Sequence, residues 1–259
     1  MYVLPQQPSS IAKLLDASFR LFGSGFGKVV AIALMLAASN ITFAFLLNHF
    51  MAVPPDGSEV APEEVKHNFP AFFATLFVYV IFDLTCYGAI ISRFDNLVRQ
   101  RVDSLGDALG LGAKKLPVML AATILYSLAV ILGSLLLLVP GIILGLSLSF
   151  YLIFVVIEDL GGYAALKASH NLVWGLWWRT LSVYMAPGIL MVIFYFLVGM
   201  IGYGLSDESP AAGKFGMVDI VTNTISGLVM PYFYALAYVV YHDLKLRKSG
   251  DDLARRLSR

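Results

Sequence analysis

Between Leu116 and Ile157 the chain runs for 42 residues without a single Asp, Glu, Lys or Arg. A soluble core helix has a polar face to show to water, so a stretch of this length free of charge needs an apolar solvent. As one straight helix it would be about 60 Å long, twice the roughly 30 Å hydrocarbon core of a bilayer. It must therefore fold back, and Pro140-Gly141 is its strongest breaker pair. The expectation is a tight turn there, with a span on either side.

Five further runs have the length of a membrane-crossing helix. With the folded-back pair, the predicted spans are 29–50, 71–92, 117–139, 142–157, 181–203 and 220–241. Composition agrees: 59% of residues are hydrophobic and 14% charged, where soluble chains carry about a quarter charged. The first apolar run begins too late and runs too long for a secretory signal, which predicts an uncleaved first span. Pro70 and Pro117 fall where the second and third spans are expected to begin, positions that tolerate a missing N–H. The predicted class is all-α, a single membrane domain over 1–259 whose six spans form three hairpins.

Basic residues fix the expected orientation. With the N-terminus inside, the inner segments hold sixteen Lys and Arg, and the outer loops hold only Lys66 and Lys214. Positive charge is retained on the cytoplasmic side, so both termini are expected in the cytoplasm of a bacterial inner membrane. The outer loops carry Asp56, Glu59, Glu63, Glu64, Asp207 and Glu208. A net charge of +1 gives no electrostatic case for nucleic acid, and the lone Cys86 allows neither an internal disulfide nor a thiolate metal cage.

An internal repeat is legible. Sliding the chain by 151 residues pairs Leu15 with Leu166, Ala17 with Ala168, Ser18 with Ser169, Leu21 with Leu172, Phe26 with Trp177 and Lys28 with Arg179. A weaker copy starts at Ser104 and ends at Lys114-Lys115. Ile11, Leu14, Leu15, Phe19 and Phe22 share one helical face, with Lys13, Asp16 and Arg20 opposite, as in a helix lying in the interface. Asp95, Asp159 and Asp243 each close a returning span. Three units are expected, 9–95, 104–159 and 162–243, each an interfacial helix followed by a span out and a span back. Gly23, Gly25 and Gly27 would bend the first from the interface into the membrane. Trp174, Trp177 and Trp178 sit just before the fifth span, as an aromatic anchor or as a platform for head groups or a partner.

Polar residues at depth are the candidate sites. Asp83 lies halfway along the second span, where a charge costs about 2.5–3.5 kcal/mol on insertion scales. Either it relays protons or cations, or it is a packing carboxyl bonded to Asn40, Asn223 or a Tyr. Asn40 and Thr42, and Thr222, Asn223, Thr224 and Ser226, read as interhelical glue. Pro187-Gly188 and Pro231 interrupt the last two spans. Gly141, Gly145 and Ser149 form a small-residue stripe suited to close helix approach. Gly23 to Lys28 is no phosphate loop, because Val29 follows the lysine and no strand precedes it. HExxH, GxSxG and CxxC are absent, and His49, His67, His170 and His242 lack ligand spacing, so no catalytic residue, metal or cofactor is expected.

Three stretches together carry a resemblance: Leu138-Val139-Pro140-Gly141-Ile142-Ile143, the segment from Glu158 to Trp174 with Ala168-Ser169, and Asn223-Thr224-x-Ser226. They resemble the YciC-like bacterial inner-membrane proteins and, more distantly, the membrane domain attached to some glycerophosphoryl diester phosphodiesterases. The likeness is best over 130–245. It implies a multi-span inner-membrane protein and supplies no catalytic site, since the chain has no soluble phosphodiesterase domain. The expected function is non-catalytic, through anionic lipid head groups or a membrane-protein or homo-oligomeric partner. Trp174, Trp177, Trp178, Lys28 and Arg179 would make the interfacial contacts. A small transporter using Asp83 is the alternative, and an intramembrane lipid enzyme a weaker one.

Overall fold

A computed structural model describes residues 3–50, 62–205 and 215–257, and side chains within these ranges except 62–68, 202–205 and 251–257. The side chains of the outer-loop acids and of Lys66 and Lys214 lie outside that set. The described chain is helical: α1 (Ile11–Phe50), α2 (Pro62–Val98), α3 (Leu105–Leu136), α4 (Leu138–Leu148), α5 (Tyr151–Ile157), α6 (Gly162–Val173), α7 (Trp177–Leu205) and α8 (Met217–Leu257). Six stretches are long and apolar enough to cross a membrane, α4 and α5 together making one of them. Their outer surfaces are those of a protein solvated by lipid. On α3 and α4, Leu128, Leu132, Leu135, Leu136, Leu138 and Val139 are all exposed, and α7 exposes Leu190, Val192, Phe196 and Ile201. In water such continuous apolar surface would drive aggregation.

Local chemistry explains the boundaries. Helix α2 ends in a paired turn: Arg101 N–H donates to the Asn96 carbonyl at 2.8 Å and Gln100 N–H to that of Leu97 at 3.3 Å, with Gln100 left-handed at φ 58°. Ser104 then opens α3 with a reciprocal cap, its hydroxyl accepting from Asp107 N–H while the Asp107 carboxylate accepts from Ser104 N–H, both at 3.0 Å. Gly175, at φ +85°, supplies the left-handed residue that turns the chain from α6 into α7.

The expected turn at Pro140-Gly141 is displaced. The chain reverses at Leu137, which is extended (φ −164°, ψ 148°) and is the single residue between α3 and α4. Pro140 sits in the first turn of α4, where its missing N–H costs nothing. Gly141 serves the packing instead: a Cβ there would lie 2.9 Å from the Ser134 Cα. Gly145 has no such neighbour closer than 3.8 Å, and Ser149 caps α4 at a second break, so the small-residue stripe is used at one end only. At that break Ser169 of α6 bridges the freed backbone, accepting from Phe150 N–H at 3.0 Å and donating to the Ser147 carbonyl at 2.9 Å.

Other expectations also shift. Helix α1 is continuous from Ile11 through Phe50, so its first turns are not a separate interfacial helix, and Gly23 to Gly27 do not interrupt it. Gly25 makes room for α2, since a Cβ there would meet the Phe94 ring at 2.9 Å. Pro70 and Pro117 lie inside α2 and α3 rather than at their starts. Pro187 and Pro231 lie within continuous helices.

The chain divides into two packed units. The first comprises Met1–Val29, Leu84–Pro187 and Pro231–Arg259; the second comprises Val30–Asp83 and Gly188–Met230. Two of the dividing points fall at Pro187-Gly188 and Met230-Pro231. The core of the first unit holds Leu14, Leu21, Phe94, Met119, Phe150, Ile153, Leu236 and Leu244; that of the second holds Ile32 and Leu36.

Candidate functional site

The first unit is organised around carboxylates that collect cations. Asp103 follows the turn after α2 and precedes the cap of α3. It accepts from Lys28 Nζ at 2.8 Å and from Arg93 Nε at 3.1 Å. Arg93 also donates to the Lys28 carbonyl at 2.5 Å. Burial pushes the Asp103 carboxyl up, but the hydrogen bonds and charges of Lys28 and Arg93 outweigh it and hold it below the usual carboxylate range. The folded chain therefore binds fewer protons here than the unfolded chain. This stabilisation is complete above the unfolded value of about 3.9 and is lost as pH falls through the lower folded value. Thermal unfolding in detergent between pH 3 and 7 should show part of the acid destabilisation vanishing in Asp103→Asn. An unchanged pH slope would refute the assignment.

Asp243 on α8 gathers more. It accepts from Ser9 N–H at 2.8 Å, from Arg179 Nε and Nη2 at 3.2 and 3.1 Å, and from Arg247 Nε at 2.9 Å. Both guanidiniums also donate to the Ser9 carbonyl. His242 contacts the Pro5 carbonyl at 3.2 Å, so the segment before α1 is held along α8. Asp95 takes Tyr238 and Arg99, both at 2.8 Å. Glu158 takes Tyr241 and Lys245, and Asp159 takes Lys115. For Asp159 the hydrogen bond and charge of Lys115 hold the carboxyl below its usual range.

These pairs alter the value of the basic residues. Lys28 and Arg179, expected at lipid head groups, are committed to Asp103 and Asp243. Among the described residues Lys13, Arg101, Lys114 and Lys167 have no carboxylate within 4.0 Å. Lys248 spends its ammonium on the neutral Trp174 carbonyl at 2.7 Å. Beside it, Trp174 is 60% exposed and Trp178 75% exposed. Trp177 is half-buried and packs edge-on against Trp178 at 4.7 Å. Trp174 lies against His170, 5.0 Å between ring centres. Two of the three indoles thus face outward.

The second unit holds the residues expected at depth. Asp83 is 3% exposed and accepts from Ser39 Oγ at 3.0 Å. Tyr79, one turn earlier, donates to Asn40 Oδ1 at 3.0 Å and stacks on Phe43 at 4.2 Å. A cavity of about 560 Å³ lies between α1 and α2, lined by Ser39, Thr42, Thr75 and Tyr79 among apolar side chains including Phe43 and Phe82. Asn223 is drawn elsewhere: its amide donates to the Asp219 carbonyl at 2.8 Å on its own helix. Thr222, Thr224 and Ser226 likewise bond carbonyls four residues back, and of these Ser226 also reaches across to the Tyr195 hydroxyl of α7 at 2.5 Å, the interhelical bond expected of this cluster. Asp83 and Asn40 are therefore linked through neighbouring hydroxyls, while Asn223 serves its own backbone. Among the described residues no three His, Cys, Asp or Glu side chains are grouped to hold a metal.

Sequence reasoning offered a Tyr beside Asp83 without singling out Tyr79, and it missed Ser39 there, Asp103 and Ser9 in the ionic clusters, and Ser169 at the helix break. A Ser or Tyr in an apolar run carries no periodic signal of its own. Asp103 had one available signal, its place between two helices whose ends both carry bases.

The chain is similar to a UPF0259 membrane protein of Photorhabdus laumondii subsp. laumondii, with 25% identity over 189 residues that cover 71% of this chain and 70% of the relative. No protein-family model matches it, and no solved structure does. With six helices of membrane-crossing length and composition, the chain is a multi-pass membrane protein.

Proposed function

We propose that the protein is a non-catalytic inner-membrane protein of the YciC-like kind, acting through anionic lipid at its basic side, with both termini in the cytoplasm. The observation that carries this reading is the surface left after ion pairing. Lys114 and Lys167 lack carboxylate partners among the described residues, Trp174 stands outward beside Lys248, and Trp178 is exposed as well. Indoles favour the membrane–water boundary, and each basic residue near an anionic surface adds about 1 kcal/mol of attraction. The sixteen-to-two division of basic residues supports the orientation. The units 9–95, 104–159 and 162–243 remain part of this reading. Its support is that Lys115 pairs with Asp159, and Arg179 with Asp243, across the second and third units, while Lys28 turns to Asp103.

Mass spectrometry of co-purified lipid tests the function. Trp174→Ala/Trp178→Ala removes outward indoles and leaves the half-buried Trp177 in place. The variant should lose most of its enrichment in anionic lipid. Identical lipid profiles for variant and wild type would remove the lipid role.

The cavity beside Asp83 favours a second reading, a small transporter that moves a proton through this carboxyl. Asp83→Asn keeps the hydrogen-bonding shape, so stability should change by less than about 1 kcal/mol. In proteoliposomes carrying a pH-sensitive dye, the transport reading requires proton flux that the variant abolishes. Equal flux with and without the carboxylate ends it.

A further inference from the structure

Helix α6 and the C-terminal part of α8, both within the first unit, border an open groove of about 590 Å³. That is within the roughly 300–1,000 Å³ of small-molecule sites and exceeds what a bare inorganic anion fills. The floor is apolar, formed by Phe154, Leu172 and Leu246, of which Phe154 and Leu172 are buried. The rim carries Lys245, Lys248 and Asn171. Among the described residues no carboxylate lines it; Glu158 reaches Lys245 from outside. Lys248 holds its position by donating to a neutral carbonyl, so its charge is uncompensated by any carboxylate among the described residues. The carbonyl belongs to Trp174, whose ring stands outward at the end of α6.

Cationic rim, amide donor, apolar floor and flanking indole define an amphiphile with a negative head. A soluble anion would leave the part-exposed Leu246 and the apolar lining beside it unused, and an uncharged lipid would leave Lys248 without a counter-charge. We propose that this groove seats one anionic phospholipid. Lys248 and Lys245 hold its phosphate, Asn171 donates to a head-group oxygen, and the glycerol and first acyl carbons lie on the apolar floor. The proposal rests on the lipid reading above and localises it to one site. Lys248 carries more of the attraction than Lys245, because Glu158 already answers the latter.

The test is native mass spectrometry of the full-length protein in detergent, incubated with equal amounts of phosphatidylglycerol and phosphatidylcholine. Wild type should retain one phosphatidylglycerol in preference to phosphatidylcholine. Lys248→Gln should reduce that preference about fivefold. Asn171→Phe, at an exposed position on the rim, fills the groove without changing charge and should displace the lipid as well. Lys114→Gln removes an unpaired charge on α3, outside the groove, and should leave the preference unchanged. Wild-type preference in both Lys248→Gln and Asn171→Phe overturns the site. If those variants hold lipid normally while Trp174→Ala/Trp178→Ala loses it, the groove assignment falls and the wider lipid role stands. A wild type without preference removes both. Displacement of the lipid by an equal concentration of glycerol phosphate would reassign the groove to a soluble phosphate and overturn the phospholipid.

Discussion

Asp243→Ala is expected to cost about 3–5 kcal/mol of stability, more than removal of any other ion pair among the described residues. The carboxylate is 3% exposed on its side chain and answers Arg179 and Arg247 together with the Ser9 amide. Without it, two guanidiniums converge on one carbonyl with no negative charge to separate them. The segment before α1 also loses its anchor, since Ser9 meets Asp243 through its N–H and both arginines through its carbonyl. Asp243→Asn keeps the acceptor oxygen and loses the charge, so its effect should be intermediate. Arg20→Ala is the control. That residue pairs with Asp16 on an open helix surface, both side chains more than half exposed, and such pairs contribute about 0–1 kcal/mol. Denaturant unfolding in mixed micelles reads all three. If Asp243→Ala is no more damaging than Arg20→Ala, the cluster is a surface feature and the account of the first unit is wrong.

The span count was legible because lipid imposes one requirement, about twenty apolar residues, on every crossing. Leu116 to Ile157 divides from length alone, yet the chain reverses at Leu137 and not at Pro140-Gly141. Proline is harmless in a first helical turn, so a Pro-Gly pair can mark the start of a helix as readily as a chain reversal. Gly23, Gly25 and Gly27 illustrate the same ambiguity. Their sequence signal is shared by bends and by close helix approach, and only Gly25, which faces Phe94, is used for close approach, while Gly23 and Gly27 have no neighbour within 4 Å. The basic residues gave the expected topology but not the chemistry of the face. Lys28 and Arg179 look like free interfacial charge until Asp103 and Asp243, distant in sequence, are brought beside them. Asp83 was recognisable because a carboxyl at depth is costly wherever its partners lie. Its partner Ser39 was not, since one hydroxyl among apolar residues is unremarkable until the helices are packed.

Gly110 and Gly112 lie two residues apart on α3, and alanine should act on them with opposite sign. At Gly110 a Cβ meets nothing within 4 Å, so Gly110→Ala should gain up to about 1 kcal/mol from helix propensity. At Gly112 a Cβ would lie 2.2 Å from the Thr85 carbonyl oxygen and 3.3 Å from the Ala89 nitrogen, both backbone atoms of α2. No rotamer relieves such a clash. The reciprocal position is as tight, since a Cβ on Gly88 would stand 3.0 Å from the Gly112 Cα. Two glycines thus let the backbones of α2 and α3 touch, and close approach is a main source of attraction between helices where lipid removes the hydrophobic drive. Gly112→Ala must push the helices apart along that contact, which also loosens Met119 against Gly88. A net loss of about 1–3 kcal/mol is expected even after the propensity gain. Unfolding of the two variants in the same micelles measures the difference directly. Equal effects would mean that α2 and α3 do not meet at Gly88 and Gly112, and that the packing of the first unit has been misassigned.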